Sequence, residues 1–280
     1  MIGTGPYNSL REYLTAVEAH GKLIKIDEID QDAYELTGFM YKLIDKYGWL
    51  DAPAVLVEKV KVSGEWMEGP ILINQYGMGG HEALVVGVPL DEIDPEDHIL
   101  NYKKSLQKML SEMPIEPMKT KEVKATDAPS KEIILKGDEI DILSFPFIQT
   151  NPADNGRFIN TGNLITIDPD GGRNVGTYRM QIKGPRKIGI SPEKNQDGWK
   201  ALMAHKEKGA SHANVAVVLG SDPIVFAMSS SKTARSGQDE LEIAGGFKGE
   251  SVEVVKCEDS DIMVPANVEM IIEGEIPLDD

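Results

Sequence analysis

The sequence predicts an α+β protein, with an N-terminal α/β domain over residues 1–115 and a second, strand-rich domain over residues 116–280. Three observations predict it. Helical and strand-like patterns mix in the first half. The composition changes between Ser111 and Ser130, where prolines, Lys and Glu displace apolar side chains as in an exposed connection. Beyond that stretch, short β-like runs follow one another closely, the pattern of a barrel or curled sheet.

The elements follow in order. Ser9 and Glu12 have capping-box spacing, which satisfies orphan amides at a helix start. Leu10, Tyr13, Leu14 and Val17 then share one helical face, and Gly21 suits a left-handed stop. Leu23 to Ile26 reads as a strand. Asp32 and Glu35 repeat the capping spacing before a helix carrying Leu36, Phe39, Met40, Leu43 and Ile44. Ala54 to Val60 and Pro70 to Asn74 read as strands, and Ala83 to Val88 as a buried one. Pro95 is expected to open a helix through Leu110, because proline suits the first helical position. In the second half, strands are expected at Glu132–Leu135, Gly162–Ile167, Gly176–Ile182, Val215–Leu219, Ile224–Met228 and Val252–Cys257. One helix, from Gly198 to Lys208, interrupts them with Trp199, Leu202 and Met203 on one side.

Composition narrows the function. A chain of 280 residues with 41% hydrophobic content buries a large core without staples. Its single cysteine, Cys257, lies in an apolar run, which reads as core packing and agrees with a reducing, cytoplasmic setting. The net charge of −17 argues against nucleic acid, whose phosphates need clustered Lys and Arg. No apolar run is long enough to span a membrane, and the N-terminus does not have the pattern of a secretory signal. A soluble, intracellular protein is expected.

The common catalytic motifs are missing: there is no P-loop, no HExxH, no CxxC pair and no GxSxG elbow around Ser229-Ser230-Ser231. His205 and His212 read as helix-end or surface histidines rather than metal ligands. Two polar segments remain. In Asn174 to Gln181, an Asn and an Arg occupy a β-like run where they fit poorly without a task. The two residues are five apart and point to opposite faces of a regular strand, so a shared site needs a bulge or twist, which Gly176 permits. A polar edge strand facing water explains the segment equally well. The second segment runs from Phe226 through Ser229-Ser230-Ser231-Lys232 to Asp239-Glu240. Its carbonyls, hydroxyls and carboxylates suit Mg, Mn or a monovalent cation, while a capped helix start accounts for the same acids. The residues alone do not decide.

The order of several motifs resembles the UbiD family of reversible decarboxylases. Phe145-Pro146 leads to Asp154-Asn155-Gly156, then Gly162 to Asp168, then Asn174 to Gln181. Ala244-Gly245, Gly249, Val254 to Cys257, Val264-Pro265-Ala266 and Glu269 to Gly274 complete the series. The resemblance implies a split β-barrel, similar to flavin reductases, that binds prenylated FMN with Mn2+ (or Mg2+) and K+. It implies Asn174 and Glu240 as metal ligands and Arg179 as the catalytic residue that orients a substrate carboxylate. The backbone of Val175, Ser229, Ser230 and Lys232 would line the monovalent-ion site, with Thr177, Tyr178, Gln196 and Ser231 also expected at the cofactor. The substrates implied are aromatic or α,β-unsaturated carboxylic acids, exchanged with CO2.

Two departures stand out. The family's third metal ligand is a histidine, and the corresponding stretch here is Glu193 to Gly198, without one. Asp197 is the expected replacement, with Gln196 as another oxygen donor. The sequence also stops at Pro277 to Asp280, where family members continue into a loop with a catalytic acid and a C-terminal domain. The expectation is a fragment, or one subunit of an oligomer whose partner chain supplies that half. Asp279 and Asp280 read as a frayed end rather than as the acid. The alternatives are a non-catalytic flavin-binding or assembly subunit and an FMN-dependent reductase-like protein.

Overall fold

In the computed structural model, which describes residues 3–235 and 237–278, the chain is a mixed α+β protein with three sheets. Asp279 and Asp280 lie outside the described residues. The N-terminal half comprises α1 (Leu10–Ala19), β1 (Leu23–Asp30), α2 (Glu35–Tyr47), β2 (Ala54–Val62), β3 (Glu65–Ile73), α3 (Gly79–Val85) and α4 (His98–Ser111). Its sheet has the order β1-β2-β3, with β1 and β2 parallel across the α2 connection and β3 antiparallel to β2. Ser9 caps α1 as expected, its Oγ accepting from Glu12 N at 3.0 Å, while Glu12 Oε2 accepts from Asn8 N at 2.8 Å.

The second half comprises β4 (Lys121–Glu122), β5 (Phe158–Ile167), β6 (Arg173–Gly184), β7 (Lys187–Ile190), α5 (Asp197–Glu207), β8 (His212–Leu219), α6 (Pro223–Ser230), α7 (Glu240–Lys248), β9 (Glu253–Lys256), β10 (Met263–Pro265) and β11 (Met270–Pro277). The main sheet is antiparallel and open, in the order β11-β8-β5-β6-β7. One apolar cluster fills the face holding Ile165, Val175, Ala216 and Val218 and continues through α6 and α7 to Tyr13 and Val17 of α1. A second cluster lies on the face toward α5, around Leu164, Met180, Val217 and Leu202. Cys257 packs in the first cluster, and burial pushes its thiol up to about 12. Among the described residues, no helix is long and apolar enough to cross a membrane.

Five expectations are corrected. Ala83–Val88 belongs to a helix and the turn after it: α3 is buried nearly all round, and a continuous apolar run does not separate a buried helix from a buried strand. Ile224–Met228 is also helical. Asp222 Oδ1 accepts from Ile224 N and Val225 N at 2.9 Å each, and Pro223 occupies the first turn, so these start signals prevail over the β-branched run. Glu132–Leu135 forms no strand; it runs beyond a 3-10 turn with Ile133, Ile134 and Leu135 exposed. Pro95 precedes α4 rather than opening it, because Asp97 is the cap and accepts from Leu100 N at 2.8 Å. Asp32 does not cap α2. Its carboxylate accepts from Ser63 N and Gly64 N, both at 2.7 Å, and so closes the β2–β3 turn.

A connecting segment ties the halves together. Gln31 Nε2 donates to Gln149 O at 2.8 Å, and Thr37 Oγ1 donates to Thr150 O at 2.7 Å. Arg157 donates to the carbonyls of Phe147 at 2.7 Å, Leu143 at 3.0 Å and Phe145. The segment thus runs from the N-terminal sheet onto β5 with its backbone acceptors satisfied.

The α3–α4 crossing depends on Gly79, where a Cβ would overlap the carbonyl oxygen of His98. Gly79→Ala is expected to cost about 2–3 kcal/mol by overpacking, read as a lower urea midpoint with an unchanged m value. An unchanged midpoint would mean that the helices are not in contact there.

Candidate functional site

The site follows from a gap in pairing along β6. Its Met180–Gly184 part pairs with β7, but from Arg173 to Arg179 that side of the strand carries no ladder partner among the described residues. A free strand edge exposes backbone N–H groups, which need acceptors. Glu240, the first residue of α7, provides one: its Oε2 accepts from Val175 N at 2.8 Å. Asp239 caps the same helix by accepting from Leu241 N at 2.9 Å, and it also binds Arg173 Nε at 2.9 Å. The capped-helix reading of these acids therefore holds for Asp239, while Glu240 is turned onto the sheet.

Because the site is at an edge, it draws on both faces of the strand. Gly176 is in register opposite Leu164, and the irregularity in the β5–β6 ladder lies between Ile159 and Gly162 instead. No bulge at Gly176 is needed. Gly176 and Gly198 have another use. A Cβ on either would lie 2.7 Å from the Tyr178 ring or its hydroxyl oxygen, so the two glycines leave the slot in which Tyr178 fits. A Cβ at Gly198 would also be 3.7 Å from Asn174 Nδ2, which places the start of α5 beside Asn174. Asn174 Nδ2 donates to Thr166 Oγ1 at 3.3 Å. This turns its amide nitrogen toward β5 and leaves Oδ1 as an acceptor.

Burial pushes the Glu240 carboxyl up to about 7, and the nearby charges of Asp239 and Asp197 add to the effect. No cation among the described residues pairs with it. Asp197 is partly diverted: its Oδ1 accepts from Lys200 Nζ at 2.6 Å. Gln196 closes a turn by accepting from Glu193 N at 2.7 Å. Among the described residues, no group of three His, Cys, Asp or Glu forms a metal cluster. The oxygen donors here are two carboxylates and one carboxamide, a hard set that suits Mn2+ or Mg2+. His205 Nε2 donates to Ile167 O at 2.8 Å, while His212 is exposed at the start of β8, so the two make no metal pair.

On the other face of β6, Thr177 Oγ1 lies 2.8 Å from Ser230 Oγ and 3.3 Å from Ser229 Oγ. Ser231 Oγ is 2.7 Å from Thr233 Oγ1, and Lys232 is exposed. Arg179 extends farther along the strand. Its guanidinium grips both oxygens of Asp154, with Nη1 to Oδ1 at 2.9 Å, and Nε donates to Asn160 Oδ1 at 2.9 Å. Its carbon centre lies 3.9 Å from the centroid of the Phe158 ring. The Arg179 cation holds the Asp154 carboxyl below the usual carboxylate range. Asp154 is a motif residue in the sequence, but its pairing with Arg179 and the Asn160 contact arise only from the fold. No local spacing signals contacts so far apart in the chain.

Known proteins resemble this chain in sequence and fold. The family model described as "UbiD: 3-octaprenyl-4-hydroxybenzoate carboxy-lyase Rift-related domain" matches residues 121–280. The phenolic acid decarboxylase of Bacillus subtilis (strain 168) is 29% identical over 275 residues, covering 96% of this chain and 54% of that protein. Vanillic acid decarboxylase of Sedimentibacter hydroxybenzoicus in its open form superposes with a TM-score of 0.82 at 26% identity, over 98% of this chain and 55% of that one. HmfF from Pelotomaculum thermopropionicum in complex with FMN gives 0.78 at 30% identity, over 96% and 55% of the respective chains. The chain thus spans about half the length of the curated relatives it matches.

The raised Glu240 carboxyl gives a pH test. The folded state holds the proton between about 4.5 and 7, where the unfolded state releases it, so this group's contribution to stability falls as pH rises through that window. Glu240→Gln removes the titration but keeps an acceptor for Val175 N. Its melting temperature relative to wild type is expected to rise from pH 5 to pH 8, reflecting on the order of 3 kcal/mol. A difference independent of pH would contradict a buried carboxyl.

Proposed function

The chain belongs to the UbiD family, and from that premise we propose that it is the flavin-binding part of a reversible carboxy-lyase for aromatic or α,β-unsaturated carboxylic acids. One observation supports this most: the half-buried Glu240 carboxyl at the free edge of β6, with Asn174 and Asp197 nearby and no cation among the described residues paired with it. An acidic chain holding a phosphorylated cofactor needs metal ions between the phosphate and its own carboxylates. Asn174, Glu240 and Asp197 would hold Mn2+ or Mg2+. The backbone near Val175, Ser229, Ser230 and Lys232 would take K+. The open five-stranded sheet is then the flavin-binding split β-barrel, and the cofactor is prenylated FMN, in keeping with HmfF structures in complex with FMN and with prFMN.

A bound prenylated flavin supplies an electron sink for the charge left on carbon as CO2 departs. The chain's own residues orient the acid. Arg179 uses three of its five N–H groups on Asp154 and Asn160, which leaves two for a substrate carboxylate. Phe158 fixes the plane of the guanidinium, and Asp154 prevents it from turning to solvent. Lysine has no such planar fork.

We further propose that a second polypeptide or further chain completes the enzyme in an oligomer. In support, relatives have been solved as an evolved dimeric form of HmfF and as the vanillic acid decarboxylase ShVdcCD with truncated ShVdcD. A flavin-binding subunit without turnover of its own is the second reading, favoured by the Lys200 contact that occupies Asp197 Oδ1.

FMN titrated into the purified chain with Mn2+ and K+ is expected to bind with quenched flavin fluorescence. Glu240→Ala should weaken binding about tenfold or more, the scale of a lost charged anchor. If wild type does not bind FMN under these conditions, the functional reading fails. Arg179→Lys should leave FMN affinity within about twofold but reduce CO2 exchange by the completed, prenylated-FMN-loaded enzyme about a hundredfold. Equal exchange by the variant would remove Arg179 from the substrate site.

A further inference from the structure

Asn163 lies in the middle of β5, between Thr177 on β6 and Val218 on β8, and is only 2% exposed. Its neighbours on that face are the apolar core residues Ile165, Val175 and Val218. A carboxamide there is costly unless every polar atom is satisfied. Here it is: Nδ2 donates to Thr177 Oγ1 at 2.8 Å and to Ser229 Oγ at 2.7 Å, and Oδ1 accepts from Ser221 Oγ at 3.1 Å.

The surrounding donors fix the direction of these bonds. Ser229 and Ser230 both donate to Phe226 O, at 2.9 and 2.7 Å, and a carbonyl oxygen can only accept. Ser229 has no second proton, so it must accept from Asn163, which determines the orientation of the amide. Thr177 likewise accepts from Asn163, and its own proton then goes to Ser230 Oγ at 2.8 Å. Every hydroxyl proton in the cluster is therefore committed inward. What Thr177 and Ser230 have left to offer is oxygen lone pairs.

We propose that Asn163 is a positioning residue for the flavin site. It holds the Thr177–Ser229–Ser230 hydroxyls as oriented acceptors, so that the rim formed by Thr177 and Ser230 receives a monovalent cation rather than phosphate oxygens directly. The inference rests on the flavin reading above and assigns a task to a residue that does not itself touch the cofactor. Without Asn163 the hydroxyls are free to rotate, their protons can face outward, and the rim loses its preference for a cation.

The test is FMN affinity of the whole chain with Mn2+, measured by flavin fluorescence in potassium chloride and in tetramethylammonium chloride. Wild type should bind more tightly in potassium. Asn163→Leu keeps the volume and removes the donors; it should weaken FMN about tenfold in potassium and show no difference between the two salts. Ser221→Ala, a milder change that frees the amide to flip, should reduce the potassium effect without lowering the melting temperature by more than a few degrees. A flavin-free check is the Asn163 side-chain amide, which should give slowly exchanging NMR signals that shift in Thr177→Val. The proposal is overturned if Asn163→Leu loses thermal stability but keeps FMN affinity and its potassium dependence, because Asn163 then only packs the core. Amide signals that exchange freely overturn it as well. Wild-type protein that fails to bind FMN rejects the functional reading and this proposal together, whereas binding that is indifferent to Asn163 rejects only the latter.

Discussion

The hydrogen bond from Val175 N to Glu240 Oε2 joins the two parts on which the site depends. It places an ionisable side chain where a neighbouring strand would otherwise supply a carbonyl. A carbonyl would have satisfied the amide at no electrostatic cost. A carboxylate satisfies it and leaves a charge to be balanced, in a position partly withdrawn from water. The arrangement makes sense if balance comes from outside the protein. It also explains why α7 begins where it does: Asp239 caps the helix and holds Arg173, which leaves the next residue free to turn onto the sheet.

The edge location reconciles side chains that a strand should keep apart. Asn174 and Tyr178 lie toward α5, and Thr177 and Arg179 lie toward α6 and the segment around Asp154. A binding region at the middle of the sheet would use one face only, whereas one that wraps the free edge can use both. The N-terminal half also contributes to this region. Gln31 and Thr37 hold the carbonyls of Gln149 and Thr150, only a few residues before the Asp154 that grips Arg179.

Local chemistry was legible where a cap, a helical face or a run of β-formers gave a short-range signal. The Ser9 cap, the 198–208 helix and the strands around Gly162 and Gly176 all carry short-range signals, and the structure contains them. The motif order that resembles the UbiD family was readable for the same reason. Helices buried on all sides were not. Around Gly79–Val85 and Pro223–Ser230 both helix faces meet protein, so the apolar residues lose their period and mimic strands. Ile133–Leu135 had the residues of a strand but no neighbouring edge to pair with. The contacts of the site were the least visible, because Asn163 and Ser229 are 66 residues apart and meet only through the tertiary fold.

The segment between Leu143 and Arg157 has a further property. At one end, the Arg157 guanidinium is held by neutral carbonyls; at the other, Arg179 holds the ionised Asp154. The contacts respond differently to the solution. Added electrolyte screens a half-exposed ion pair and strong acid neutralises its carboxylate, whereas a cation bound to carbonyls offers no opposite charge to screen and no acid to protonate. The same segment is therefore anchored firmly at Leu143–Phe147 and conditionally where Asp154 meets Arg179. It behaves as a fixed arm with a releasable tip.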